Sequence, residues 1–254
     1  MTVTDVNVVK SAIFERPDDA NKGTLGSLLC VCGSYGMAGA AVMSAKGALR
    51  TGIGLAKCAL PRSIYPIVAQ TILESVYYPL SENADGRISK VNVPFLVSES
   101  CKSSATLVGC GLGVCDDTLK IVFSLIENST TTLVLDADAL NCVAKQPEIL
   151  LRKKAPIIIT PHPGEMSRLT GLATPLVNAE RERVALDFAQ KYGVVTVLKG
   201  AGTVIASPNG KVLVNPTGNS GMATGGSGDV LAGMTASILA QGASAFSSAA
   251  AAVY

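Results

Sequence analysis

A series of short apolar runs, each breaking off into glycine or a polar residue, constrains the fold more than any other feature of this chain. Leu28–Cys32, Leu55–Leu60, Ile72–Tyr77, Ala105–Val108, Thr132–Leu135, Pro156–Ile159 and Val194–Leu198 read as strands, the most continuous of them as strands buried on both faces. Helical patterns lie between them: the Ala-rich stretch 40–50, a short helix over Pro61–Gln70 opened by proline, one from Asp116 or Asp117 to about Glu127, and a long one over Asn178–Tyr192. Residues 81–92 read as a polar loop, and Val204–Ala206 with Lys211–Val214 as a hairpin across Ser207-Pro208-Asn209-Gly210. The alternation predicts an α/β fold with a mostly parallel central sheet, closed at one edge by the hairpin. Ligands bind such sheets beyond the carboxyl ends of the strands. The loops at Gly33, Gly109, Asp136, His162, Lys199 and Asn215 are therefore expected on one rim.

With 48% hydrophobic and 16% charged residues, the 254-residue chain can bury a core large enough for a single domain, preceded by a polar lead-in over residues 1–23. A formal charge of +2, without long basic runs, gives no electrostatic reason for a nucleic-acid partner. The apolar runs fall short of the roughly 20 residues that span a bilayer, so no membrane association is expected. Seven cysteines and an amino terminus without an apolar signal region predict reduced thiols and a cytoplasmic protein. His162 is the one histidine and no CxxC pair occurs, which argues against a bound zinc.

Candidate chemistry gathers in Asn215–Met234. There Gly225-Gly226-Ser227-Gly228-Asp229 precedes Val230, Leu231 and Met234 at helical spacing. Glycines and the first amides of a helix form an anion cradle, and Asp229 is either a helix cap or a base beside a bound phosphate. A helix amino terminus is expected to depress its pKa. Lys199 ends an apolar strand and must reach the rim or meet an anion there. His162, between two prolines at a strand exit, is expected to face a cleft, and Glu165 to start the helix after it. Asp136 and Asp138 suit a metal or a helix cap, with capping the simpler role. Gly109-Cys110-Gly111-Leu112-Gly113 lacks dinucleotide-fingerprint spacing, and no P-loop signature is present. A cradle, a carboxylate and a lysine on one rim are the parts that phosphoryl transfer to a hydroxyl requires.

These motifs carry a resemblance. Gly225–Asp229 resembles the signature of ribokinase-like enzymes. The ordered set GSYGMAGAA (33–41), DADALN (136–141), TPHPGE (160–165), LKGAGTV (198–204) and NPTGNSGMATGGSGD (215–229) is similar to the nucleotide-dependent NAD(P)H-hydrate dehydratases. The resemblance implies a ribokinase-like three-layer fold over one domain, 1–254. It implies ADP or ATP as co-substrate with Mg2+, and a repair reaction that dehydrates the S epimer of hydrated NADH or NADPH. By similarity Ala40, Gly111, His162 and Asp229 would contact the hydrated nucleotide, with Asp229 as catalytic base. Lys199, Gly200, Ala201, Gly202, Thr203 and Gly228 would hold ADP or ATP, and no resident metal ligand is implied. Family members commonly assemble as homo-oligomers and continue helically past the equivalent of Tyr254; a native and a truncated carboxyl terminus both stay open. The alternatives left open are a ribokinase-like small-molecule kinase that releases a phosphorylated product, and a non-catalytic nucleotide-binding protein.

Overall fold

The computed structural model describes residues 3–13 and 15–254; of the lead-in, residues 1, 2 and 14 lie outside the described residues. Nine strands form one sheet: β1 (Ser27–Val31), β2 (Leu55–Pro61), β3 (Val76–Leu80), β4 (Ala105–Val108), β5 (Leu133–Leu135), β6 (Ile157–Ile159), β7 (Val195–Leu198), β8 (Thr203–Ala206) and β9 (Val212–Asn215). Their order is 3-2-1-4-5-6-7-8-9. Strands β1 to β7 run parallel, and the β8–β9 hairpin turns antiparallel at the edge, as its Asn209-Gly210 turn predicts.

Helices cover both faces, which is why the central strands are apolar on both sides. They are α1 (Val6–Ala12), α2 (Ala38–Arg50), α3 (Tyr65–Thr71), α4 (Val93–Cys101), α5 (Asp116–Asn128), α6 (Asp138–Val143), α7 (Pro163–Thr170), α8 (Thr174–Ala179), α9 (Arg181–Tyr192), α10 (Ser227–Ala240) and α11 (Ala245–Val253). On one face Val31, Val108, Leu135, Ile159 and Leu198 pack under α4–α9. On the other, Cys30, Leu107, Val134, Ile158 and Val197 pack under α2, α3, α10 and α11. No helix among the described residues is long and apolar enough to cross a membrane.

Several boundaries differ from the sequence expectation, each for a local reason. Strand β2 runs through Pro61, which pairs with Leu80, and it is Pro66 that occupies the first turn of the following helix. The next strand accordingly starts at Val76 rather than Ile72. The expected helix 178–192 is two helices, α8 with Pro175 in its first turn and α9, broken at Glu180 (φ −125°, ψ 41°). Residues 93–101, continuing the stretch read as loop, form α4. Within the lead-in, Asp5 caps α1 by accepting from the amides of Asn7 and Val8, and α1 packs on α10 and α11 through Val9 and Ala12.

Candidate active site

One face of the sheet and one end of it coincide at the site. On β5, β6 and β7 the first residue past the strand falls on the α10 side: Asp136, Thr160 and Lys199. The backbone carries the ladder one step beyond the strands, with Asp136 N donating to Val108 O (3.1 Å), Thr160 N to Leu135 O (3.1 Å) and Lys199 N to Pro161 O (2.8 Å). Three polar side chains are thus held on rigid strand ends, and α10 brings Asp229 over them from its first turn.

Asp136 is the centre of this cluster and is 2% exposed. Its Oδ1 accepts from Thr160 Oγ1 and from Lys199 Nζ, both at 2.7 Å, and Cys110 Sγ lies 3.8 Å from Oδ2. Lys199 Nζ also stands 3.8 Å from Glu165 Oε2. Cys110 Sγ and one oxygen each of Asp136 and Asp229 lie within 4.8 Å of one another. A Cβ placed on Gly228 would sit 3.4 Å from Lys199 Nζ and 4.0 Å from Asp136 Oδ2, so this helix start opens directly onto the ammonium. The capping role expected for Asp136 is corrected here: its carboxylate reaches Thr160 and Lys199, and α6 has no side-chain cap. Asp138 accepts from Gly113 N at 2.8 Å, which ties the second glycine loop to α6.

The electrostatics follow from three carboxylates facing one ammonium. Burial pushes Asp229 above the ordinary carboxylate range and Asp136 pushes it further, against the opposing effects of Cys110 and Lys199. The expectation that a helix amino terminus would depress its pKa is therefore corrected: desolvation and the neighbouring anion win. Burial opposes the charge on Lys199, but Asp136 and Glu165 outweigh it and hold the ammonium above its usual range. Glu165 is raised by burial, with Lys199 pulling the other way. The thiol of Cys110 is pushed well up by its contact with Cys32, by burial and by Asp136.

His162 and Glu165 form a capping box on α7: His162 Nδ1 accepts from the amides of Gly164 (3.0 Å) and Glu165 (3.3 Å), and Glu165 Oε2 accepts from His162 N (2.8 Å). Half of the His162 side chain remains exposed, and burial with Lys199 and Arg168 nearby lowers its pKa. Glu165 is both a cap and a partner of Lys199.

The remaining candidates fall into two groups. Gly111 adopts φ +65°, and a Cβ on it would lie 2.7 Å from Ala40 Cβ, so the second glycine loop packs against the first turn of α2 that follows the first loop. Ser34 Oγ donates to Gly111 O at 2.8 Å and fixes that contact. The loop Lys199–Thr203 closes on itself through Thr203 Oγ1, which donates to Gly200 O at 2.9 Å. Arg181 braces it from α9, donating to Leu198 O at 2.8 Å and lying under Gly200. A cavity of about 560 Å³ opens beside this loop, lined by Arg181, Ala201, Gly202, Val204 and Val214. A second cavity, about 450 Å³ against Leu169, Leu172, Phe188 and Tyr192, lies in the other helical layer, away from Asp229. Asn215 serves the frame: it accepts from Thr4 Oγ1 (2.7 Å) and donates to Val253 O (2.8 Å).

The sequence did not assign roles to Thr160, Cys110 or Arg181. For Thr160 the signal was present, because it follows Ile159 as Asp136 follows Leu135 and Lys199 follows Leu198. Arg181 carried none, since only the break at Glu180 turns it toward the loop.

A parallel sheet with a terminal hairpin, and a glycine–aspartate helix start over its carboxyl rim, define an α/β fold class shared with a ribokinase-like superfamily protein from Enterococcus faecalis, TM-score 0.85 at 24% identity, covering all of this chain and 84% of that one. Within that class, residues 28–254 match the sequence profile of the Carb_kinase family, described as NAD(P)H-hydrate dehydratase. The chain belongs to this family. It is 35% identical over 237 residues to the ADP-dependent (S)-NAD(P)H-hydrate dehydratase of Neisseria meningitidis, covering 92% of this chain and 76% of that one. It is 38% identical over 233 residues to the bifunctional NAD(P)H-hydrate repair enzyme Nnr of Moorella thermoacetica, covering 92% of this chain but 44% of that protein. The chain thus spans less than half the length of the bifunctional relatives it matches. The crystal structure of ADP/ATP-dependent NAD(P)H-hydrate dehydratase from Bacillus subtilis, co-crystallized with ATP/Mg2+, superposes with a TM-score of 0.83 at 31% identity, covering 99% of this chain and 85% of that one.

Proposed function

We propose that the protein dehydrates (6S)-NADH or (6S)-NADPH hydrate at the expense of ADP or ATP, as a metabolite-repair lyase. The observation that carries this reading is the placement of Asp229: a partly buried carboxylate of raised pKa in the first turn of α10, behind Gly225–Gly228 and beside the Lys199 ammonium.

Each part has a task. Asp229 accepts the proton of the 6-hydroxyl as that oxygen attacks the terminal phosphorus of the nucleotide. A base of raised pKa suits this, because it holds the abstracted proton more firmly than an ordinary aspartate. The cradle at Gly225–Gly228 and the Lys199 ammonium meet the negative charge that develops on the transferred group. The phosphorylated oxygen then leaves as phosphate, expelled by the ring nitrogen, and loss of a proton from the adjacent carbon restores the dihydronicotinamide double bond. Lys199, Gly200, Ala201, Gly202, Thr203 and Gly228 hold the nucleotide, and Ala40, Gly111 and His162 line the substrate side. Mg2+ enters as part of the magnesium–nucleotide co-substrate.

The test is to incubate the protein with hydrated NADH, Mg2+ and either ADP or ATP and follow the return of dihydronicotinamide absorbance, with phosphate release measured in parallel. Recovery of absorbance with stoichiometric phosphate is the expected result. Binding of both nucleotides without recovery refutes it, and accumulation of a phosphorylated product identifies a kinase instead.

A further inference from the structure

We propose that Asp136 is a positioning residue of this reaction: it holds the Lys199 ammonium at the start of α10, where the transferring phosphoryl group must pass, and keeps that ammonium from pairing with Asp229. The proposal rests on the dehydratase reading and adds a residue that the sequence motifs leave as a helix cap.

Geometry ranks the three carboxylates that could claim Lys199. Asp136 has it at 2.7 Å and Glu165 at 3.8 Å. Between Asp229 and Lys199 there is no ion pair within 4.0 Å among the described residues. The hold is directional, because Thr160 Oγ1, itself fully buried just past β6, donates to the same Oδ1 at 2.7 Å and prevents the carboxylate from rotating. Oδ2 is thereby turned toward Cys110 and Gly228. An ammonium so tethered is preorganised for charge that appears only during transfer, which is where electrostatic catalysis gains most.

The same arrangement leaves the base free. The groups facing Asp229 are Cys32 from the end of β1, Cys110 after β4, Asp136 after β5, Asp138 on α6 and Lys199 after β7. Without Asp136, Lys199 keeps only the longer contact to Glu165 at 3.8 Å and is free to swing toward Asp229. Asp229 would then lose proton affinity twice, once through the missing anion and once through the new counter-ion.

The experiment is steady-state kinetics of the Asp136→Asn variant over a range of pH, with [15N]lysine NMR titration of wild type and variant. The expected results are a kcat at least about tenfold lower with the KM for nucleotide within about twofold, an acidic limb of the kcat profile displaced to lower pH, and a Lys199 ammonium that titrates at lower pH than in the wild type. A purely structural role would lower the melting temperature while leaving the limb and the Lys199 titration where they are; that outcome overturns the proposal, as does an unchanged kcat. Should Asp136→Asn not fold, Thr160→Val removes the hydroxyl that orients Asp136 and must move kcat and the limb in the same directions by smaller amounts; no movement refutes the idea. Wild-type protein that fails to restore absorbance sinks the dehydratase reading instead, and an active wild type with an unaffected Asp136→Asn sinks this one alone.

Discussion

Gly233 of α10 lies so close to Ser44 of α2 that a Cβ on it would stand 2.0 Å from the Ser44 carbonyl oxygen. One turn earlier, Gly47 of α2 faces Val230 with a corresponding distance of 2.7 Å to the Val230 carbonyl oxygen. The two helices therefore meet backbone to backbone, and this contact sets the height of Asp229 above the sheet.

Gly233→Ala must force the helices apart, since the obstacle is main chain and not a flexible side chain. Overpacking of a core typically costs 1–3 kcal/mol, and a backbone clash of this depth is expected to cost about 3 kcal/mol or more. Urea denaturation measures that loss. The displaced α10 is also expected to lower kcat beyond what the unfolded fraction accounts for, which activity per folded molecule will show. A variant of wild-type stability and activity would mean that the contact does not position the site.

Replacing Asp229 with asparagine is expected to abolish turnover and to stabilise the fold. General bases contribute on the order of 10²- to 10⁴-fold to rate, so Asp229→Asn should lose at least about a hundredfold in kcat while still binding nucleotide. The stability effect follows from the sign of the pKa shift. A carboxyl whose folded pKa is raised above the ordinary aspartate value of 3.8 binds its proton more tightly when folded, so ionising it weakens the fold. That penalty is fully present above the folded pKa, shrinks as pH falls through it, and is gone below the unfolded value. The asparagine variant should therefore melt higher than the wild type at neutral pH, with the difference closing in acid. An equal gap at every pH would contradict the raised pKa.

Most of this architecture was legible in the sequence because parallel strands buried on both faces leave continuous apolar runs, and β1, β4 and β7 fall within a residue of where Leu28–Cys32, Ala105–Val108 and Val194–Leu198 place them. The half-exposed edge was harder. Strand β3 reads Val76-Tyr77-Tyr78-Pro79-Leu80, with a proline that its edge position tolerates, and the apolar signal of Ile72 belongs to the residue ending α3. At the site, the motifs point to residues that the fold gathers on one rim, but they do not give the charge balance. Asp229 is raised first by burial and then by Asp136, and Asp136 is no cap because its carboxylate reaches Thr160 and Lys199, relations between strand ends and a helix start that no local pattern encodes.

Gly111→Ala separates the two halves of the site. The glycine adopts φ +65°, which disfavours any side chain, and its Cβ would press against Ala40 Cβ at 2.7 Å and Met37 Cβ at 3.1 Å. Crowding there should raise the KM for the hydrated nucleotide about tenfold or more, with the Kd for ADP, measured by calorimetry, unchanged. Equal losses in both would show that Gly111 does not belong to the substrate side.

Arg181→Ala addresses the other half. The guanidinium joins the carbonyl of Leu198, just before Lys199, to the far side of the loop at Gly202, with distances of 2.8 and 3.5 Å. Its removal leaves both acceptors unsatisfied and takes away the surface on which Gly200 rests. Hydrogen bonds from a charged donor contribute about 1.5–3 kcal/mol, which converts to roughly a ten- to hundredfold weaker hold on the loop conformation that binds nucleotide. The expected result is a KM for ADP or ATP raised within that range, a kcat at saturating nucleotide within a fewfold of the wild type, and an unchanged KM for the hydrate. Arg181→Lys should recover little, because the shorter side chain leaves its ammonium short of the point from which Nη2 meets both carbonyls. Full recovery by lysine would show that charge alone, and not the bridge across the loop, is what the nucleotide end of the site requires.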